Sequence, residues 1–167
     1  MLKRSLSIGP LVVFRIGFGL MAFMSLVRFY HNDWIKEQFL ESAFHFKYFG
    51  FHWVSVAEPT VLYGIFFLLM ASALCVAFGL LYRITSVLFF VLFTYFELLD
   101  ATYYLNHYYF ISCCAFLMIF LPAHHAFSLD QKLFGLKPKK EVAAWTIYAL
   151  RIPDSYTHLT LPTILLV

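Results

Sequence analysis

Charge is scarce in this chain: Asp, Glu, Lys and Arg make up 13% of its 167 residues, against 62% hydrophobic and 21% aromatic. So little charge, with a mean hydropathy of +0.79, excludes an ordinary soluble domain. The net charge of +3 arises from cations that flank apolar runs rather than from a basic stripe, so no nucleic-acid footprint is present. Cysteine is also sparse. Cys75, Cys113 and Cys114 fall within apolar runs and form no Cys-x-x-Cys pair, which excludes a thiol oxidoreductase of that type and points to apolar packing. Phosphate loop, dinucleotide fingerprint and serine-nucleophile motif are all missing. The Gly17-Phe-Gly19 pair lies inside an apolar run, where close helix packing explains it. His31, His45, His52, His124 and His125 are numerous, yet none stands in a His-Glu-x-x-His type of arrangement and the last two belong on the opposite membrane side from the others, so no metal site is expected.

What the chain does have is length of apolar run. Pro10 to Tyr30, Val61 to Tyr82, Ile84 to Leu99 and Tyr104 to Leu121 each approach or exceed the length that crosses a bilayer. Val142 to Leu150 begins a fifth. The expected fold is all-α, a polytopic membrane helical bundle of four spans plus the start of a fifth. The first run is too long for a cleavable signal and stays as an anchor. Lys3, Arg4, Arg83, Lys132, Lys137, Lys139 and Lys140 flank one side of the spans, Lys36 and Lys47 the other, so the N-terminus is expected in the cytoplasm. With no retention signal or disulfide framework, a bacterial inner membrane is favoured over the endoplasmic reticulum. Membrane lipid is the first expected partner.

Between the first two runs, Asn32 and Asp33 are placed to cap a short helix. Its Ile35, Phe39, Leu40, Ala43 and Phe44 would lie on the membrane while Lys36, Glu37 and Glu41 stay wet. Arg15, one turn or so into the first run, is expected to snorkel to headgroups. Arg28 at its other end is placed to pair with Glu97 or Asp100. From Ile152 the composition changes abruptly to a proline-interrupted, aperiodic tail, so residues 1–151 read as a natural membrane unit and residues 152–167 as an unrelated, artefactual end.

The chemistry-bearing residues gather at one hairpin mouth. Glu97 and Asp100 close the third span, and Asn106 and His107 open the fourth, with Tyr104 beside them. Ionisable groups are costly in such segments and usually functional there. An imidazole can move a proton, an amide can hold an oxyanion or phenolic oxygen, and Asp100 can orient the imidazole. The structural alternative is that Asp100 caps span four, Glu97 faces headgroup water, His107 bonds a tyrosine hydroxyl, and the tyrosines form an aromatic belt.

Five passages carry a resemblance to a known family: Val13-Phe-Arg-Ile-Gly-Phe-Gly19, Phe44-His-Phe-Lys-Tyr-Phe-Gly-Phe-His-Trp53, Gly79-Leu-Leu-Tyr-Arg-Ile-Thr85, Leu99-Asp-Ala-Thr-Tyr-Tyr-Leu-Asn-His107 and Pro122-Ala-His-His-Ala-Phe-Ser-Leu-Asp130. Across residues 10–151 the chain resembles the N-terminal membrane part of the vitamin K-dependent γ-carboxylase family, the horizontally transferred transmembrane domain. The resemblance implies an enzyme that oxygenates a reduced vitamin K-type quinone with O2 and uses the strong base so formed to replace a glutamate γ-proton by CO2. Its substrate would be a glutamate-containing protein or peptide. It places Asn106 and His107 at active-site positions, with Asp100, Glu97 and Tyr104 in support. The lysine that deprotonates the hydroquinone in the family has no counterpart here, since Lys139 and Lys140 precede the fifth run on the other side. The polypeptide is therefore expected to be a catalytically inert fragment of such an enzyme. A non-catalytic membrane module that binds quinone or lipid is the alternative.

Overall fold

The computed structural model describes residues 5–42, 44–103, 106–135 and 137–150. Four apolar helices follow one another as neighbours: α1 (Gly9–His31), α2 (Pro59–Phe78), α3 (Tyr82–Leu99) and α4 (Asn106–Phe120), with α1 on α2, α2 on α3 and α3 on α4. This is the expected all-α membrane bundle. The first three are long and apolar enough to cross a bilayer, whereas α4 is a shorter apolar helix. At 15 residues α4 spans about 22 Å, less than the run from Tyr104 to Leu121 suggested.

Helix boundaries reflect local chemistry. Pro10 and Pro59 sit in the first turns of α1 and α2, where a missing N–H is harmless. Gly79 stops α2 in the left-handed region at φ 65°, its N–H and that of Leu80 closing on the carbonyls of Val76 and Cys75. A Cβ there would lie 2.6 Å from the Ser128 Cβ and 2.8 Å from an Arg15 nitrogen. The second span thus ends at Phe78 rather than Tyr82, and Arg83 belongs to α3 rather than to the connecting turn. At the α1–α2 contact, a Cβ on Gly19 would meet the Ala77 backbone nitrogen at 2.6 Å. That close approach is the small-residue packing expected between membrane helices. Gly17 has open space around it and takes no part.

The near face of the bundle, where α1 begins, is tied by polar contacts. Arg15 is fully buried and does not reach out to headgroups. Its guanidinium donates to the carbonyls of Ala123 (2.7 Å), Ala126 (3.4 Å) and Phe127 (2.6 Å), pinning the turn Ala123–His125 together with the two residues after it. Helix α5 (Leu129–Leu133), capped by the Ser128 hydroxyl, presents Asp130 to the start of α3. Its carboxylate accepts from the N–H groups of Leu81 (2.5 Å) and Tyr82 (2.9 Å). The Tyr82 hydroxyl donates to the Met118 carbonyl at 2.7 Å, and its ring stacks on His124. A two-stranded antiparallel pair, β1 (Ser5–Ser7) with β2 (Glu141–Ala143), sets Leu6 opposite Val142. Helix α6 (Ala144–Ala149) comes next as the beginning of the fifth run. The tail from residue 151 lies outside the described residues.

Candidate functional site

The far face, where α1 ends, encloses a cavity of about 930 Å³ between α1, α2, α3, α4 and the segment after α1. Its walls are aromatic, with Phe66, Phe93, Phe96 and Tyr108 among them, and its polar side chains include Arg28, Thr94, Glu97, Asp100, His107 and Ser112. Glu97, Asp100 and His107, expected at one mouth, therefore do converge on one space. The reason is simple geometry. A short connection between α3 and α4 brings the last turn of one beside the first turn of the other, and residues three or four apart share a helix face.

The segment after α1 closes the cavity rather than lying flat on the bilayer. Asp33 adopts φ 54° and its carbonyl accepts from the N–H groups of Lys36 and Glu37, starting a tight turn that becomes π-helical over Lys36–Leu40. That winding tucks Ile35 and Phe39 into the core, both nearly inaccessible, and leaves Phe44 exposed. Phe39 meets Phe29 and Phe96, and Trp34 meets Phe29 edge-on at 5.4 Å. Lys36 and Glu41 pair in water at 3.1 Å, as the amphipathic pattern indicated. Of the expected stripe, Ala43 lies outside the described residues.

Each site residue has a distinct setting. Asp100 is buried, but its partner is His45, at 3.2 Å from His45 Nδ1, and not His107. It also accepts from the N–H groups of Phe46 and Thr102 and from the Thr102 hydroxyl at 2.8 Å. It caps the turn Ala101–Tyr103 rather than span four, and holds the 44–46 passage against the bundle, helped by the bond from Ala101 N–H to the Phe46 carbonyl. Burial alone would raise its pKa. The hydrogen bonds from Thr102, His45 and Phe46 outweigh burial and keep the carboxyl below the usual aspartate range.

Glu97 is half-buried and accepts from the Ser112 hydroxyl across the α3–α4 contact. His107 is exposed toward the mouth and packs edge-on against Tyr108 at 4.5 Å between ring centres. Arg28 does not pair with Glu97 or Asp100. Its guanidinium lies 5.6 Å over the Trp34 ring, a cation–π contact, and among the described residues no carboxylate lies within ion-pair distance of it. Tyr104 lies outside the described residues, and of Asn106 only its place at the start of α4 is described.

Several residues of the site carried no sequence signal. Ser112 and Thr94 are ordinary small polar residues within apolar runs, and only the register of α3 against α4 brings Ser112 to Glu97. The Thr94 hydroxyl is buried without a hydrogen-bond partner, and Thr94 lines the cavity. A buried, unsatisfied hydroxyl beside a cavity is a position at which a ligand oxygen gains a bond at little cost. Chemically, the space offers stacking surfaces, one idle hydroxyl, a carboxyl held by a serine, and an imidazole at the rim. The described residues contain no cluster of three or more metal-ligating side chains.

No solved structure matches this chain. Residues 3–158 match the HTTM domain, a stretch that includes all five passages and runs past the composition change at Ile152. The chain therefore belongs to the HTTM domain family, the membrane part of vitamin K-dependent carboxylase-like proteins, and is a membrane protein.

Proposed function

We propose that the far-face cavity binds a reduced vitamin K-type quinone and that this chain is the ring-binding membrane portion of a γ-glutamyl carboxylase-like enzyme. The observation that carries the reading is the cavity itself: about 930 Å³ of aromatic wall in a membrane bundle, with Thr94, Glu97 and His107 on its lining. The volume lies at the upper end of the ~300–1,000 Å³ typical of small-molecule sites. Phe93, Phe96 and Tyr108 suit a flat bicyclic ring, and the unpartnered Thr94 hydroxyl suits a ring oxygen. When bound, the reduced quinone with O2 supplies a base strong enough to remove a glutamate γ-proton, which CO2 then replaces. Ser112 orients the Glu97 carboxyl, the aromatic walls exclude water, and His107 at the mouth holds or moves a proton where a glutamate-bearing peptide meets the cavity.

The same reading sets the orientation. Arg83, Lys132, Lys137, Lys139 and Lys140 flank the near face while Lys36 and Lys47 flank the far one, which supports a cytoplasmic near face and N-terminus. Lys47 is in any case occupied, donating to the Val54 carbonyl at 2.6 Å.

The test is binding of menadiol to the polypeptide in nanodiscs, read by Trp34 quenching in a Trp53→Phe, Trp145→Phe background, alongside labelled CO2 incorporation into a glutamate peptide. Saturable binding that weakens in Glu97→Gln and His107→Ala is expected, with no incorporation, because no residue here matches the family's lysine. Absence of saturable binding refutes the cavity assignment, and incorporation refutes the inert reading. One observation favours the non-catalytic alternative: Asp100, the most deeply buried acid of the cluster, is wholly engaged in holding its own loops. That alternative predicts unchanged binding after replacement of Asn106 and His107.

A further inference from the structure

On the near face a second, separate groove of about 270 Å³ runs between α1 and the end of α2. Ile16 and Leu20 form one wall, Phe78 the other, and Phe127 and Lys132 stand at its rim. Two features mark it. Phe127 has φ 48°, a left-handed conformation that is strained for an aromatic residue, and the residue is 85% exposed. The strain is held in place from below, since the Phe127 carbonyl accepts from the buried Arg15 at 2.6 Å. Lys132 is exposed, and among the described residues no acid pairs with it. Its nearest acid in sequence, Asp130, is committed to the N–H groups of Leu81 and Tyr82.

We infer that this groove is a binding site for one anionic glycerophospholipid, with an acyl chain along Ile16, Leu20 and Phe78 and the phosphate on the Lys132 ammonium. An apolar channel that opens beside an unpaired cation matches the order of parts in such a lipid, an acyl chain leading to a negative headgroup. Exposed Arg83, Lys137, Lys139 and Lys140 outnumber the one exposed acid, Glu141, in the neighbouring stretches of chain. Phe127, fixed outward by Arg15, covers the chain at headgroup depth, where aromatic rings favour the interface. The groove shares no lining residue with the far-face cavity, so the inference does not depend on quinone binding.

The experiment is reconstitution of the full polypeptide in nanodiscs of equal phosphatidylglycerol and phosphatidylcholine, followed by detergent release and native mass spectrometry. One phosphatidylglycerol per chain is expected to be retained about fivefold over phosphatidylcholine, the preference that one basic residue gives at an anionic surface. Lys132→Ala should bring the ratio to about unity, Ile16→Trp should fill the groove and remove both lipids, and Lys137→Ala on the same face should leave the preference intact. Equal retention of both lipids overturns the proposal. So does an equal effect of Lys137→Ala, which would mean diffuse charge, retention of oleate as strong as that of phosphatidylglycerol, or a lipid-free dimer.

Discussion

A guanidinium with no accessible surface, inside an apolar helix, is tolerable because both of its terminal nitrogens find acceptors, although its buried Nε finds none. Arg15 donates to three carbonyls of the 123–127 turn, so its removal leaves the buried carbonyls of Ala123 and Ala126, and the part-buried one of Phe127, without this donor. Hydrogen bonds to charged groups contribute about 1.5–3 kcal/mol each. Arg15→Ala should therefore destabilise the bundle by about 3 kcal/mol or more in reversible unfolding in detergent. Arg15→Lys should recover only part of this, because a point charge cannot reproduce the fork.

Next to it, His124 lies stacked on Tyr82 and 4.2 Å from the His125 ring. The groups facing it are His125, Arg83, Asp130 and Arg15. Desolvation, and then the positive neighbours His125 and Arg83, hold its pKa down at about 4. In the unfolded chain the value returns to about 6.5, so between these limits the unfolded state binds the extra proton. The stability contribution of neutral His124 is thus complete above pH 6.5 and disappears as pH falls toward 4. His124→Phe, which keeps the stacking, should flatten that limb of a melting-temperature profile measured from pH 7 to 4; an unchanged limb would place the acid sensitivity elsewhere.

At the scale of elements, α3 receives its N-terminal cap from a different helix. Leu81, which precedes it, is left-handed at φ 47° and provides no side-chain cap, so the orphan N–H groups turn to Asp130 of α5. Asp130→Ala should cost about 1–2 kcal/mol, the usual worth of a cap with its favourable charge at a helix start. Asp130→Asn should cost less, since it keeps an acceptor. Equal losses in the same unfolding assay would mean that charge, not capping, is the larger part.

This contact also marks what a single sequence conveys and what it does not. Runs of apolar residues and Pro59 at a helix start are local signals, and α1, α2 and α3 appear close to where those signals put them, although α2 stops at Gly79 inside its apolar run. Glu97, Asp100 and His107 converge because a hairpin of short connection permits little else. The partners of Asp130, Arg15 and Asp100 lie 48, 108 and 55 positions away, and no local pattern announces them. Arg15 illustrates the failure best. A lone cation near a helix end has two stable fates, headgroup water or a nest of carbonyls, and the choice is made by the 123–127 turn. The π-helical winding at Lys36–Leu40 was hidden for a related reason: its i, i+5 bonds suit the packing of Phe39, not an intrinsic propensity.

In the molecule as a whole, two buried aspartates stand at opposite ends of the same helix. Asp130 caps the start of α3, Asp100 follows its last residue and caps the next turn, and α3, at 18 residues, separates them by about 27 Å. They share no partner: Asp130 binds the near-face turn, Asp100 binds His45, Phe46 and Thr102 on the far face. Sites so far apart should act additively, to within about 0.5 kcal/mol. The double variant Asp100→Ala, Asp130→Ala is therefore expected to lose the sum of the single losses in reversible unfolding. Their functional effects should separate completely. Asp100→Ala frees the passage that closes the cavity, so menadiol binding should fall several-fold and amide exchange at residues 45–48 should rise. Asp130→Ala should change neither, while lowering phosphatidylglycerol retention, because α5 carries Lys132. If Asp130→Ala instead weakens menadiol binding as much as Asp100→Ala does, the two faces are coupled through α3, and the bundle works as one lever rather than as two independent sites.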